Sequence, residues 1–345
     1  MAIPSSSSSP EVGWEGVDPT QAKPSQANPR PEPAQRYAGA MVLGSRALVL
    51  IAHLGFPVVM GSAIAGAIFG MNRGVDPILA GIGAQLPAFL AVIALERLAP
   101  YHRDWNRNHG DLGVDLRHIV TVTLTSGMAD PALRGLGVAL GAWLLGGHAL
   151  QLWPGDWPLA LQLALALVIG ELGQYWVHRM QHEVPWLWRC HALHHSAPRL
   201  YWLNAARFHP LDILLNNLVA TVPLVALGAG QDVLVLWVLF AAVHGIFQHC
   251  NVPVRLGPLN WIFSMAELHR WHHSRRVVES NRNYGQNLIV WDIVFGTRFL
   301  PADREPPRDI GLTELPHYPM TWLAQELAPF RWRRVVDGAL PPSRD

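Results

Sequence analysis

The sequence predicts an all-α, integral-membrane helical bundle with a histidine-rich helical cap on its cytosolic side. Three observations carry that prediction. Only 15% of the 345 residues are charged, against roughly 25% in a soluble domain, while 50% are hydrophobic and mean hydropathy is +0.17. Two long runs, residues 47–70 and 77–95, contain no charged residue. Seventeen histidines are present, and eleven of them fall in the 96-residue window 178–273, where the chain average would put about five. Such a composition excludes a disordered chain, a nucleic-acid-binding protein and a disulfide scaffold. A net charge of +1 implies no polyanionic partner. The two cysteines, Cys190 and Cys250, each stand beside a histidine and are expected to be reduced and cytosolic.

Residues 1–40 are rich in Ser and Pro without apolar periodicity, which predicts a disordered N-terminal segment. No apolar core follows a basic start there, so it does not read as a signal peptide. Residues 41–177 read as transmembrane helices. The runs 47–70 and 77–95 are each long enough to cross a ~30 Å hydrocarbon core, and the six residues between them predict a hairpin. A third apolar stretch, 118–152, is interrupted by Asp130, Pro131 and Arg134, so a kinked or re-entrant helix is expected; it pairs with 157–177, marred only by Glu171. Residues 178–300 form the histidine-box region, which includes a short membrane hairpin at 211–248. Residues 301–345 read as a cytosolic tail, with a short amphipathic helix at 324–332 on the membrane surface.

Orientation follows from the basic residues. Arg30, Arg36 and Arg46 precede the first run, Arg97, Arg103 and Arg107 follow the second, Arg179, Arg189, Arg199 and Arg207 follow the fourth, and Arg255, Arg270, Arg275, Arg276 and Arg282 follow the last. With crossings taken in pairs, all of these lie on one side, which the positive-inside rule makes cytosolic. Both termini and every clustered histidine then lie on that side.

Three motifs concentrate the chemistry. His178-Arg-Met-Gln-His182 is H-x3-H, and His191-Ala-Leu-His194-His195 and His269-Arg-Trp-His272-His273 are both H-x2-H-H. Helical residues three and four apart share a face, so each motif aims its imidazoles at one place. Neutral imidazole is a good ligand for Fe, Zn, Cu and Ni. Eight to ten imidazoles exceed the shell of one ion, so the arithmetic points to two metals. The absence of thiolates argues against structural zinc, and the missing Glu after His178 argues against a zincin protease. Two redox metals at a membrane surface suit oxygen activation on a lipid, whose unactivated C–H bonds offer no handle for acid–base attack, and a non-haem iron pair supplies that chemistry. Scattered histidines such as His53, His102 and His118 carry no such signal.

Beyond the boxes, Arg207-Phe-His209-Pro, Phe247-Gln-His249-Cys-Asn251, Glu267-Leu-His269-Arg-Trp-His272-His273-Ser274, Asn283-Tyr-Gly285, Trp291-Asp292 and Phe295-Gly-Thr297 resemble the fatty acid hydroxylase / sterol desaturase superfamily of integral-membrane di-metal oxygenases over roughly residues 80–330. The resemblance implies that His178, His182, His191, His194, His195, His269, His272 and His273 are ligands of two irons, with His249 a ninth. His244 is a tenth candidate, but five residues before His249 it sits about 140° off that face on a regular helix. Glu171, seven before His178, and Asn251 are the candidate catalytic side chains beside the metals. Asp212 and Glu267 are candidates to orient imidazoles, His209 to sit just outside the ligands, and Asn283 and Tyr284 to fold the tail against the site. The expected activity is an O2-dependent lipid hydroxylase fed by a separate cytochrome b5-like or ferredoxin-like donor, with no nucleic-acid partner. A desaturase with the same centre stays open, and a histidine-rich metal transporter, which would place its ligands along a mid-bilayer path, is the alternative from another class.

Overall fold

The structure, a computed structural model, describes residues 44–144 and 152–338. The expected disorder of residues 1–40 lies outside the described residues, as do 145–151 at the end of the third apolar stretch and 339–345 of the tail. Regular structure among the described residues is helical, apart from two isolated bridges, Phe263 with Leu288 and Ser274 with Ile310.

The first two helices, α1 (Ser45–Asn72) and α2 (Pro77–Leu98), form the expected hairpin. Gly74 takes the turn at φ +82°, a region closed to most side chains. Asp76 caps α2 by accepting from the backbone N–H groups of Ile78 and Leu79, with Pro77 in the first turn, where its missing N–H is harmless. One side of this hairpin buries Phe56, Met60, Ala88 and Val92 in the main core, while Leu54, Val58, Leu79, Ile82, Leu86 and Leu90 point outward. A helix apolar on every side, with large side chains facing out, is stable in lipid and not in water.

Helix α3 (Leu112–Leu144) runs unbroken through Pro131, and Arg134 donates to Asp130 one turn earlier at 2.7 Å. It is followed by α4 (Leu159–Glu183), α5 (Pro185–His195), α6 (Pro210–Ala226), α7 (Gln231–His249) and the short α8 (Ala266–His272). Among the described residues, four helices are long and apolar enough to cross a membrane: α1, α2, α4 and α7. Helix α3, with its charged pair, is not among them, and α6 has only 17 residues. Of the six expected crossings, four are thus candidate spans among the described residues.

Helix α7 packs against α1, α2 and α4; α4 packs against α6; α6 packs against α3. Glycines let these backbones touch. A methyl at Gly141 of α3 would meet the Ala226 carbonyl of α6 at 2.8 Å, and one at Gly173 of α4 would meet the Val219 carbonyl at 2.7 Å. The consequence for the site is that α4 and α7 lie side by side and bring His178 and His249 to the same cavity.

The tail differs from expectation. Two short helices, Trp322–Leu327 and Trp332–Val336, flank a 3-10 turn where one helix at 324–332 was expected. Ala328 and Val335 bury themselves with Leu315 and Tyr318 against Ala192 and Leu193 of α5, while Leu323 and Phe330 stay exposed. Packing against α5 therefore competes with the membrane surface for this segment. Cys190 and Cys250 are buried and unpaired.

Candidate metal centre

Helix α4 continues past its apolar run to Glu183, carrying His178 and His182 one turn apart. Val184 breaks it, and Pro185 starts α5 in the first-turn position proline favours. Helix α5 brings His191, His194 and His195 back beneath α4. Helix α7 ends on His249, and α8 supplies His269 and His272, with His273 as its C-cap.

Among the described residues, nine imidazoles gather in two groups, each with one nitrogen per ring within 4.8 Å of the others. His178, His182, His191, His195 and His272 form the first; His194, His249, His269 and His273 form the second. The sequence pattern suggests one target per motif, but the structure divides both H-x2-H-H boxes. The pairs four apart, His191 with His195 and His269 with His273, stay together, while His194 and His272 turn to the opposite group. Helical geometry explains this, since i and i+4 are separated by about 40° and i and i+3 by about 60° on the other side. The groups adjoin: the His195 ring stacks on His273 with centroids 4.5 Å apart.

Ring orientation is set from outside. His178 Nδ1–H donates to the Tyr284 carbonyl at 2.6 Å and His272 Nδ1–H to the Arg282 carbonyl at 2.8 Å. His182 donates to Asn281 Oδ1 at 3.1 Å, and His191 to the buried carboxylate of Asp212 at 2.8 Å. In the second group, His194 donates to the Arg207 carbonyl at 3.3 Å and His249 to Asn204 Oδ1 at 3.1 Å. With Nδ1 protonated, each ring presents an Nε2 lone pair inward, the tautomer a metal requires.

The inward atoms are what a bound cation would satisfy. Nε2 of His178 faces Nε2 of His191 at 3.1 Å, and Nε2 of His249 faces Nε2 of His269 at 3.0 Å. The first two rings, and His249, are already committed to donating from Nδ1, so in the first pair two lone pairs oppose each other. Nε2 of His182, His195 and His272 are buried with no partner. Opposed or orphaned buried acceptors are costly, and two cations relieve both. Burial first, then neighbouring imidazoles, holds the pKa of His191, His195, His269 and His273 well below the ordinary 6.5, so these rings are neutral and able to ligate.

Other expected residues are placed elsewhere. His244 is not in either group: it is fully buried, stacks on Phe240 and meets Phe56 edge-on, as its off-face position on α7 dictates. Glu171 is fully buried, but its carboxylate accepts the backbone N–H groups of Gln286 and Asn287, latching the loop after α8 onto α4. Asn251 bonds to both backbone groups of His102 and to Asn106, tying the end of α7 to the segment after α2. Neither side chain is brought to the imidazoles. Glu267 pairs with Arg255 and Asn260, and His209 caps α6. Asn283, the one non-glycine residue with positive φ (55°) among those described, bonds to the Leu268 and Phe299 carbonyls, and Asp292 clamps the N–H groups of Tyr284 and Gly285. These bonds hold the 281–285 loop whose oxygens orient His178, His182 and His272. Asn204 and Asn281 were not singled out from sequence. An asparagine in a loop has no spacing signature, and only the fold places these two behind imidazoles.

A cavity of about 130 Å³ borders both groups, touching His178 and His191 of the first and His194, His249 and His269 of the second. Ala205, Phe208, Ala241 and Gly245 form its apolar side.

Comparison with known proteins agrees with this geometry. Residues 163–297, from α4 through the end of the loop behind the boxes, match the model of the fatty acid hydroxylase family. The ornithine lipid hydroxylase OlsE of Rhizobium tropici is 38% identical over 305 residues, which cover 86% of this chain and 90% of that protein. The alkylglycerol monooxygenase of Danio rerio is 28% identical over 254 residues, 70% of this chain and 54% of that protein. A fatty acid hydroxylase of a Lecanicillium species is 32% identical over 154 residues, 40% of this chain and 42% of that protein. No solved structure matches. Nine converging imidazoles at the ends of apolar helices, the family match across them, and a lipid-hydroxylase relative aligned over nearly its whole length establish that this membrane protein belongs to the fatty acid hydroxylase family.

Proposed function

We propose that the chain is a membrane-bound, O2-dependent lipid hydroxylase whose two imidazole groups hold a pair of irons. The observation that carries the reading is the five-and-four division of neutral imidazoles, with lone pairs turned inward, around a cavity at the ends of α4 and α7. The named activities of the relatives, on ornithine lipid and on alkylglycerol, make an amphiphilic lipid the substrate class.

When bound, the iron pair supplies O2 activation. The overall reaction converts a C–H bond to C–OH, with the second oxygen atom leaving as water, which requires two electrons and two protons from outside. The electrons come from a separate donor protein. The chain's own residues hold the ligand rings: Asp212, Asn281 and the Tyr284 and Arg282 carbonyls fix the first group, and Asn204 and the Arg207 carbonyl fix the second. Glu171 and Asp292 act one step further out, through the loop they clamp. Burial of the rings keeps bulk water from the reacting centre. Arginine placement supports a cytosolic position for this site.

Two closed groups at helix ends do not form the path through mid-bilayer that a metal transporter needs. The decisive experiment supplies purified protein with iron, a reducing donor and isotopically labelled O2 in lipid vesicles. The expected product has gained one labelled oxygen atom. A product that has lost two hydrogens without gaining oxygen would make the enzyme a desaturase, and metal flux without O2 consumption would overturn the oxygenase reading.

A further inference from the structure

We propose, resting on the lipid-oxygenase reading above, that Gly245 and Ala241 are specificity-determining residues: their missing side chains form a slot beside the two imidazole groups that admits an unbranched, ring-free aliphatic segment of the lipid. Both residues lie on α7 on the face that ends in His249, four and eight residues before it, so a chain segment lying along them is about 6 and 12 Å along the helix axis from that imidazole. Both line the cavity that touches both groups.

Gly245 differs from the glycines that let helices touch. A methyl at Gly81, Gly137, Gly141 or Gly173 would meet a neighbouring helix at 2.6–2.8 Å. At Gly245 it would meet nothing within 4 Å. Close packing of helices therefore does not explain a glycine one turn before the end of α7, where it weakens a helix relative to alanine. The space its side chain would fill is the cavity. One turn before Ala241, the buried indole of Trp237 packs over Gly170, with Nε1 at 3.2 Å from where a methyl would stand there.

Size then selects the ligand. At about 130 Å³ the cavity is far below the ~300–1,000 Å³ of sites that enclose a whole organic ligand. A few methylenes in single file fit it; a fused ring system does not. Phe208, stacked on His194 with ring centroids 4.2 Å apart, lines the same cavity.

The test compares wild type with Gly245→Ala, Gly245→Leu and the control Gly83→Leu on the outer face of α2, using iron-loaded protein in vesicles of straight-chain phospholipid or of the same lipid with a sterol. Metal content, Tm and oxygenated product are measured for each. The expected result is that Gly245→Ala keeps both metals and an equal or higher Tm yet turns over more slowly. Gly245→Leu should keep both metals and lose about a hundredfold or more in turnover, the scale set by displacing a reacting carbon by an ångström. Gly83→Leu should behave as wild type, and the sterol nucleus should stay unoxidised. Gly245→Leu as active as wild type, or oxidation of the sterol rings, overturns the slot while leaving the oxygenase reading intact. Wild type that binds two metals but oxidises no lipid overturns both.

Discussion

The two imidazole groups are built from the same motifs but supported differently. In the group of five, four rings are tied from behind, and one of the ties is a buried carboxylate, Asp212, itself held by Gln181 and Asn216 at 2.7 and 2.8 Å. In the group of four, two rings are tied, both by neutral oxygens, and Nδ1 of His269 and His273 has no partner. A carboxylate behind a ligand makes its imidazole more basic and fixes its orientation. The comparison teaches that the group of five is held more rigidly and made more basic than the group of four, although H-x2-H-H reads the same in both boxes.

The largest expected effect comes from His272→Ala. It should abolish turnover and remove one metal, leaving the group of four loaded, as read by elemental analysis of folded, membrane-inserted protein. Loss of both metals would show that the groups are a single unit and break the comparison. Next, Asp212→Asn should weaken metal binding in the group of five by roughly 10–100-fold with little change in the other, giving a biphasic chelator titration; a uniform weakening would deny Asp212 its special place. Asn204→Ala, which removes one neutral hydrogen bond worth about 1 kcal/mol, should weaken the group of four by a few-fold, measured in the same titration. The smallest effect is expected from His244→Phe. The buried His244 ring lies among Phe56, Phe240 and Phe263, and its polar contact is at most a weak one to the Gln286 backbone. An apolar ring of similar shape should leave metal content unchanged and Tm equal or higher. Loss of a metal in that variant would bring His244 into the centre.

Much of the fold was legible because the signals are local and periodic. Uncharged runs at 47–70 and 77–95 could be little but spans, and Asp76-Pro77 marks a helix start that the structure uses. Helix α3 was harder. Asp130, Pro131 and Arg134 suggested a break, yet the two charges pair one turn apart and the helix passes through them. The tail helix was only half legible, since an amphipathic pattern does not say whether lipid or α5 will cover its apolar face. In the site, the boxes announced themselves by spacing, and the doubt about His244 was geometric and visible in advance. Glu171 shows the opposite case. A carboxylate in a span is unusual enough to notice, but its use, as a receptor for the N–H groups of Gln286 and Asn287, depends on a loop 115 residues away in sequence.

By itself, then, the sequence determined which runs are apolar enough to be spans and that the eight imidazoles of the three boxes share helix faces, because hydropathy and the 3.6-residue period act within a dozen residues; His249 came from the family resemblance, and His244 was counted with them. Tertiary structure alone decided that the nine divide five and four, that Asp212 stands behind one group and Asn204 behind the other, and that Gly245 opens onto a cavity. Those facts depend on how α4, α5, α7 and α8 meet, and contacts between residues tens of positions apart are fixed by the packing of whole helices and not by any local pattern.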